Sequence, residues 1–191
     1  MDYSLIDKYI DRLITESTPD KPIWNIEVIL SGKKPAWNYI DGCMMTSLYS
    51  IYKQTGDKKY LKFIDEYIDY YVFDDGSIRG YDLQTYNLDN LNEGRILFDL
   101  YKETGKAKYK KAIELLYSQI KQHPRVEKTG NFWHKAIYPN QVWLDGIYMS
   151  EVFYTRYQLE CADGNFDEII KQFKGIFSHM YDKEKKLYYH G

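Results

Sequence analysis

The chain has 191 residues, of which 44% are hydrophobic and 17% aromatic, and its net charge at pH 7 is −2. That length and apolar content predict a single domain spanning residues 1–191. Because lysines and arginines are interspersed with acids, no basic face is available to neutralise phosphates, which argues against a nucleic-acid partner. The 21 tyrosines suit either a carbohydrate-binding cleft or a tyrosine-rich helical core.

The sequence also lacks the signature of a membrane protein. No window of about 18 residues is continuously apolar. The first residues, MDYSLIDKYIDRLI, carry acids where a signal peptide needs an uninterrupted apolar run. We therefore expect a cytoplasmic protein with no membrane partner.

The predicted elements begin with a helix over residues 4–17, followed by an irregular segment rich in proline. Acid–glycine pairs then recur with their glycines, Gly42, Gly94 and Gly146, 52 residues apart. Each pair opens a predicted apolar helix, and the three read DGCMMTSLYSIYKQTG, EGRILFDLYKETG and DGIYMSEVFYTRYQLE. Their bulky residues recur at spacings of three and four, as on the buried face of a helix.

A second predicted helix follows each of these, over residues 58–72, 107–123 and 165–180. Gly56 and Gly105 mark the ends of the first two apolar helices, because glycine readily adopts the left-handed C-cap conformation. The unit is thus a helical hairpin of about 50 residues, present three times. Stacked hairpins form an open solenoid or a closed ring, and we expect the first helix of each unit to lie on the inside.

Two long linkers, FDDGSIRGYDLQTYNLDN and HPRVEKTGNFWHKAIYPNQVW, separate the units. They exceed the roughly 2 to 8 residues of a simple helix connection. Turn-forming residues flanked by short aromatic or β-branched runs predict small β-hairpins in both. Since each linker precedes an acid–glycine helix, the linkers should collect at one end of the array. There Asp41, Glu93 and Asp145 are expected to ring one mouth.

Asp145, in the stretch NQVWLDGIYMS, is the leading candidate for chemistry. An acid at a helix start also has a purely structural role, because it caps free N–H groups and suits the helix dipole. What favours a functional role is the preceding twelve residues. These contain side chains that stack on sugars or bind them through hydrogen bonds, namely Trp133, His134, Tyr138, Gln141 and Trp143.

Asp89 lies four residues before Glu93, so the two share a helix face. Carboxylates that reach one mouth from different hairpins, such as Asp89 and Asp145, can act as an acid and a base, and the alternative is a pair of independently solvated loop acids. His134 and His190 are weak signals singly, because an isolated histidine commonly serves as a hydrogen-bonding residue. No HExxH, CxxC, GxSxG, GxGxxG or phosphate-loop pattern is present, so we expect neither a metal nor a cofactor.

Three stretches, YNLDNLNEG, GNFWHKAIYPNQVWLDGIYMSEVF and LYYHG, resemble glycoside hydrolase family 105, the unsaturated rhamnogalacturonyl hydrolases. The related family 88 unsaturated glucuronyl hydrolases share the plan. The resemblance implies an all-α fold, an (α/α)6 toroid of helical hairpins of which this chain supplies the N-terminal half, with small β-hairpins in the rim linkers. It also implies a cytoplasmic hydrolase that removes a 4,5-unsaturated uronic acid from the non-reducing end of pectin fragments, without a metal.

The resemblance further implies roles for individual residues. Asp145 corresponds to the proton donor and water activator, and Asp89 to the second acid that steers it. In such enzymes the donor protonates C4, water adds at C5, and the hemiketal opens and releases the aglycone, whereas ordinary glycosidases react at the anomeric carbon. The predicted substrate-binding residues are His134, His190, Trp143, Trp133, Asp41 and Tyr39.

Family members are about twice this long, and three and a half hairpins cannot close a ring of six. An open half-ring would expose the apolar sides of its end helices. Three explanations stay open: a truncated chain, a homodimer that completes the ring, or a separate polypeptide that supplies the missing half. The functional alternatives are an inactive fragment, a non-catalytic carbohydrate-binding or assembly subunit, and a plain interaction solenoid.

Overall fold

The computed structural model describes residues 4–191 and is mostly helical. In chain order its helices are α1 (Ser4–Glu16), α2 (Ile26–Ser31), α3 (Tyr39–Thr55), α4 (Lys58–Tyr71), α5 (Asp89–Glu93), α6 (Arg95–Thr104), α7 (Ala107–Gln122), α8 (Gly146–Glu160) and α9 (Asp167–Met180). A 3-10 turn at Leu83–Thr85 precedes α5. The predicted repeat is confirmed, since α3–α4, α6–α7 and α8–α9 are three successive hairpins, here called units 1, 2 and 3.

Glycine ends the first helix of units 1 and 2, as the sequence predicts. Gly56 and Gly105 have φ values of 70° and 68° and donate their backbone N–H groups to the carbonyls of Tyr52 and Tyr101. A residue with a β-carbon is strained in this left-handed conformation, whereas glycine is not. These two residues therefore set the turns into α4 and α7.

The acid–glycine pairs occupy three different positions rather than one. The first lies inside the first turn of α3, whose N-cap is Asn38. The second forms the junction between α5 and α6, and the third precedes and begins α8. The second pair differs from the other two because it follows the short helix α5, which the periodicity of the sequence did not predict.

Two of the periodic glycines, Gly42 and Gly94, lie where neighbouring segments leave no space for a β-carbon. A β-carbon on Gly42 would lie 2.5 Å from the Cα atom of Glu93, and one on Gly94 would strike Leu116 and Phe153. Backbone cannot withdraw from such a contact as a flexible side chain can. A residue larger than glycine at either of these positions would therefore collide with a neighbouring segment.

The core lies between the helices of units 1 and 2 and the inner side of α8. Helix α3 packs on α4, α5 and α6, while α6 packs on α7 and α8. The fully buried side chains include Met45, Leu48, Ile64, Tyr67, Ile96, Leu97, Phe98 and Phe153. The tyrosine-rich composition therefore serves the core in part, because Tyr67, Tyr71 and Tyr109 are wholly enclosed.

The β-structure differs in place and extent from the expectation. Each long linker contains a single antiparallel bridge, Val72 to Ile78 in one and Arg125 to Phe132 in the other. Within residues 4–191, the two-stranded sheet follows α9 and pairs β1 (Tyr181–Asp182) with β2 (Leu187–Tyr188). Among the helices described, none has both the length and the apolar character needed to cross a membrane.

Candidate active site

The rim brings together three segments that are distant in sequence. The Leu88 N–H donates to the carbonyl of His134 over 3.1 Å, and the Leu144 N–H donates to the carbonyl of His190 over 2.6 Å. These bonds place the start of α5, the second linker and the last residues of the chain side by side. We call Asp89, His134, Lys135, Trp143, Asp145 and His190 the rim cluster.

Asp145 stands immediately before α8, yet its carboxylate does not cap the helix. Its backbone is helical, with φ −68° and ψ −19°, whereas a capping residue is usually extended. The first N–H groups of α8 bond instead to the preceding backbone, Gly146 to the carbonyl of Trp143 and Ile147 to that of Leu144. The capping explanation for this acid is therefore wrong, and its carboxyl group is free for another role.

The free carboxyl group of Asp145 is half-buried. Its Oδ1 atom is enclosed and has no hydrogen-bond partner among the described residues. The nearest cation candidate is His190, whose Nε2 lies 4.0 Å from that oxygen and whose ring is largely exposed. An enclosed acceptor without a partner is costly, because the group has left water and gained nothing in return. A ligand that supplies the missing contact would remove that cost.

Asp89, the first residue of α5, differs from Asp145 because both of its carboxylate oxygens have partners. The Nζ atom of Lys135 lies 2.7 Å from its Oδ2 atom, and Nε2 of His134 lies 3.4 Å from its Oδ1 atom. Only 8% of Asp89 is exposed. A charged hydrogen bond of this length fixes the carboxylate in position. Asp89 is thus not an independently solvated loop acid.

His134 is enclosed at the centre of the cluster, with 1% of its surface exposed. Burial lowers its pKa, and the nearby carboxylates of Asp89 and Asp145 oppose that effect without overcoming it. The ring is therefore neutral around pH 7, so its contact with Asp89 is not an ion pair. Its Nδ1 atom has no partner within the described residues.

Trp143 contacts two other members of the rim cluster, His134 and His190. It stacks on His134, with ring centroids 4.1 Å apart and an interplanar angle of 12°, and on Tyr138 at 5.4 Å and 20°. The ring of His190 meets it edge-on at 5.4 Å. The indole N–H donates to Gln141, which fixes the ring orientation. A rigid aromatic wall of this kind suits the apolar face of a sugar.

Trp133 and Tyr39 are less closely tied to the cluster. Trp133 is half-buried, its carbonyl accepts a bond from His123, and its indole N–H is enclosed with no partner among residues 4–191. Tyr39 begins α3 and is 38% exposed. No hydrogen bond in the described part of the chain links Tyr39 to the rim cluster, and its role in binding stays a prediction.

Asp41 and Glu93 do not ring an open mouth, contrary to expectation, because both are buried. The Asp41 carboxylate accepts bonds from the indole N–H of Trp24 and the hydroxyl of Tyr67, each over 2.8 Å, and from Asn38 over 3.0 Å. These bonds tie α3 to α4 and to the segment before it. Burial raises the pKa of Asp41 despite them. Its position thus has a structural role, and substrate binding by Asp41 stays a prediction.

Glu93, the last residue of α5, contacts Asn38 and is fully buried. Its Oε2 atom accepts the backbone N–H of Asn38 over 2.6 Å, while its Oε1 atom has no partner in the described residues. Burial raises the pKa of Glu93 well above its usual value, and the charge of Asp41 adds to the effect. A neutral Glu93 beside Asp41 avoids placing two charges in the core.

Lys135 stands beside His134 in the sequence, and the residue pattern did not predict a role for it. Its 2.7 Å contact with Asp89 and its position 5.9 Å from the Trp143 ring make it the cation of the cluster. The only available signal was a basic residue within a run of sugar-binding types. A surface lysine looks the same in sequence, so the contact had to be seen in three dimensions.

The sequence model of the family described as Glycosyl Hydrolase Family 88 matches residues 6–191. A solved glycoside hydrolase of family 105 from C. acetobutylicum is similar in structure, with a TM-score of 0.78 and 40% identity over 94% of this chain. Two possible members of family 105, from Klebsiella pneumoniae and Salmonella enterica, are each 23% identical over 81% of it, with TM-scores of 0.69 and 0.66. The last two support the fold alone.

The match covers 48% of the C. acetobutylicum chain and 40% of each of the other two, so this chain spans about half the length of those proteins. The resemblance to these glycoside hydrolase families is confirmed, and so is the toroid fold, of which this chain forms about half. This chain belongs to glycosyl hydrolase family 88.

Proposed function

We propose that this chain forms the proton-donating side of a glycoside hydrolase that removes 4,5-unsaturated galacturonic acid from the non-reducing end of rhamnogalacturonan oligosaccharides. The observation that supports it most is the free carboxyl group of Asp145 at the start of α8. It caps nothing and has an enclosed oxygen without a partner. A cytoplasmic location is part of this proposal and rests on the sequence alone.

In the proposed reaction Asp145 transfers its proton to C4 of the vinyl ether, which leaves a cation at C5 stabilised by the ring oxygen. Water adds to C5 and returns a proton to Asp145, so the donor is regenerated. The C5 hemiketal then opens to a ketone, and the hemiacetal left at C1 expels the aglycone as an alcohol.

Asp89 fits the role of a fixed anion in this scheme. Lys135 holds its carboxylate in a salt bridge, and the His134 ring that also contacts it stacks on Trp143. A carboxylate that does not move is suited to orienting water and to stabilising positive charge at C5. The two acids thus have different environments, and therefore different roles, although they reach one rim.

A second candidate function is a non-catalytic carbohydrate-binding or assembly subunit. It is favoured by the chain spanning only about half the length of the solved relatives, whose remaining residues have no counterpart among residues 1–191. In that case the aromatic wall would bind sugar without turnover.

The test is to mix the purified chain with unsaturated rhamnogalacturonan disaccharide and follow the ultraviolet absorbance of the conjugated double bond. We expect the absorbance to fall, and to stay constant with Asp145→Asn. Asp163→Asn is the matched control, because it makes the same change in an exposed loop acid after α8.

Equal turnover by wild type and Asp145→Asn would contradict the donor role. If the folded wild type consumes no substrate, the catalytic proposal fails for this chain. Equilibrium binding of the same disaccharide, weakened by Trp143→Ala, would then support the second candidate.

A further inference from the structure

Arg95, the first residue of α6, is a buried cation without an anion. It is 6% exposed, and no acid among residues 4–191 forms an ion pair with it. Asp99, one turn further along α6, pairs with Arg156 of α8 instead, over 2.6 Å. An arginine is rarely buried without such a partner, because removing its charge from water is costly. The position of Arg95 therefore calls for a negatively charged group from elsewhere.

The neutral partners of Arg95 use one edge of its guanidinium only. Its Nε donates to the backbone carbonyl of Asn92 over 3.0 Å, and its Nη2 donates to the side-chain oxygen of the same residue over 2.9 Å. The ring of Tyr148 covers the guanidinium, with its centroid 4.7 Å from Cζ. The Nη1 atom donates no hydrogen bond within the described residues, so Arg95 keeps both its charge and a free edge for a ligand.

Asn92 supplies a second unused donor beside that charge. Its side chain is fully buried, and its Nδ2 atom is enclosed without a partner in the described part of the chain. The bond from Arg95 to the amide oxygen assigns the other atom of the amide as the nitrogen. Unused N–H donors next to an unpaired guanidinium are complementary to an anion. A carboxylate fits them well, because its two oxygens accept parallel bonds from a guanidinium edge.

The partners of Arg95 also place it close to both acids of the rim cluster. Asn92 lies three residues after Asp89 in α5, and Tyr148 lies three residues after Asp145 at the start of α8. Residues three apart on a helix are neighbours on one face, with β-carbons about 5–6 Å apart. Arg95 contacts both partners, so it lies about one helical turn from each carboxylate. A sugar held between Asp89 and Asp145 is thus within its reach.

We propose that Arg95, Asn92 and Tyr148 bind the carboxylate of the terminal uronic acid and so give the chain its preference for acidic over neutral sugars. The inference rests on the proposed function for the position of the sugar. The carboxylate carbon is bonded to C5, which adjoins the C4 atom that Asp145 protonates. With about 3 Å between Asp145 and C4, that carboxylate lies about 5 Å from Asp145, close to the length of one helical turn.

The probes are D-galacturonate and D-galactose, which share a ring and differ at C6, a carboxylate in one and a hydroxymethyl group in the other. Neither has the double bond of the proposed substrate, so their binding is measured without turnover. Titration calorimetry at low ionic strength gives both affinities. We expect the wild type to bind galacturonate at least about tenfold more tightly than galactose, the usual size of a hydrogen-bonded charge contact. Equal affinities, or no binding of galacturonate, would overturn the proposal.

Three variants locate the contact. Asn92→Asp keeps the shape of the side chain and supplies Arg95 with an anion from the protein itself, so the preference for galacturonate should disappear. Arg95→Gln removes the cation and should have the same effect, whereas Arg95→Lys keeps the charge and should retain part of the preference. The matched control is Arg12→Gln, which changes an exposed arginine of α1 and should leave both affinities unchanged.

The ratio of the two affinities separates binding from a structural role. A structural role for Arg95 would weaken both sugars alike, and that result would count against the proposal, as would a wild-type preference in Asn92→Asp. Circular dichroism checks that each variant is folded, and if Arg95→Gln unfolds, Asn92→Asp decides the question. Failure of the proposed function looks different, since the unsaturated disaccharide would then keep its absorbance while the preference for galacturonate persists.

Discussion

Glu151 offers a quantitative test of how burial affects stability. Its pKa rises from the ordinary 4.5 to about 8 because the carboxyl group is enclosed and largely without partners. In the unfolded chain the group ionises near pH 4.5, whereas in the folded chain it holds its proton until about pH 8. The folded state therefore binds more protons over this range, and stability falls as pH rises. Below the lower value the group is neutral in both states and has no effect.

The size of the effect follows from the two pKa values. One pKa unit corresponds to about 1.4 kcal/mol, so the full difference amounts to at most about 5 kcal/mol above the higher value. At pH 7 the loss is about 3 kcal/mol, and at pH 5 it is below about 1 kcal/mol. Glu151→Gln keeps an acceptor for the Ser150 hydroxyl and has no charge to bury, so the variant should escape this loss.

The assay is urea unfolding of wild type and Glu151→Gln at about pH 5 and about pH 9, with Glu127→Gln as a control for the loss of one acid. We expect the wild type to lose about 4 kcal/mol relative to Glu151→Gln between the two conditions. Asp41 and Glu93 also have raised pKa values, but they are present in both proteins and cancel in the comparison. Parallel curves for wild type and Glu151→Gln would refute the reasoning, since Glu151 would then ionise alike in both states.

Three further predictions concern the rim and the contacts between units. Asp145→Asn should unfold within about 0.5 kcal/mol of the wild type, because the carboxylate caps no N–H group, and a larger loss in urea would show a structural role. Lys135→Gln leaves Asp89 without its cation, so turnover of the unsaturated disaccharide should fall. The free energy of unfolding should also drop by about 1 kcal/mol. Unchanged turnover would show that Lys135 has no role in the site. Gly42→Ala brings a β-carbon to 2.5 Å from the Glu93 backbone and should cost about 2 kcal/mol or more in thermal unfolding, whereas a harmless substitution would contradict the close contact.

Local patterns in the sequence predict much of the fold. The spacing of bulky residues predicts the helices, and Gly56 and Gly105 mark the ends of two of them because the left-handed conformation is a property of a single residue. The period of 52 residues predicts three equivalent hairpins, and the position of the linkers predicts that Asp89 and Asp145 reach the same rim. The short helix α5 was not predicted, because five residues are too few to show a helical period.

What the sequence left open depends on groups that are far apart in the chain. Whether Asp145 caps α8 was decided by the backbone bonds that already satisfy the helix start. Whether Asp41 is exposed was decided by Trp24 and Tyr67, which enclose it from other elements. In the sequence, Lys135 and Glu151 cannot be told from surface residues. Packing places Lys135 beside Asp89 and buries Glu151 with a single hydrogen bond, from Ser150. Charge and burial are properties of a three-dimensional neighbourhood, and only the tertiary structure brings these neighbours together.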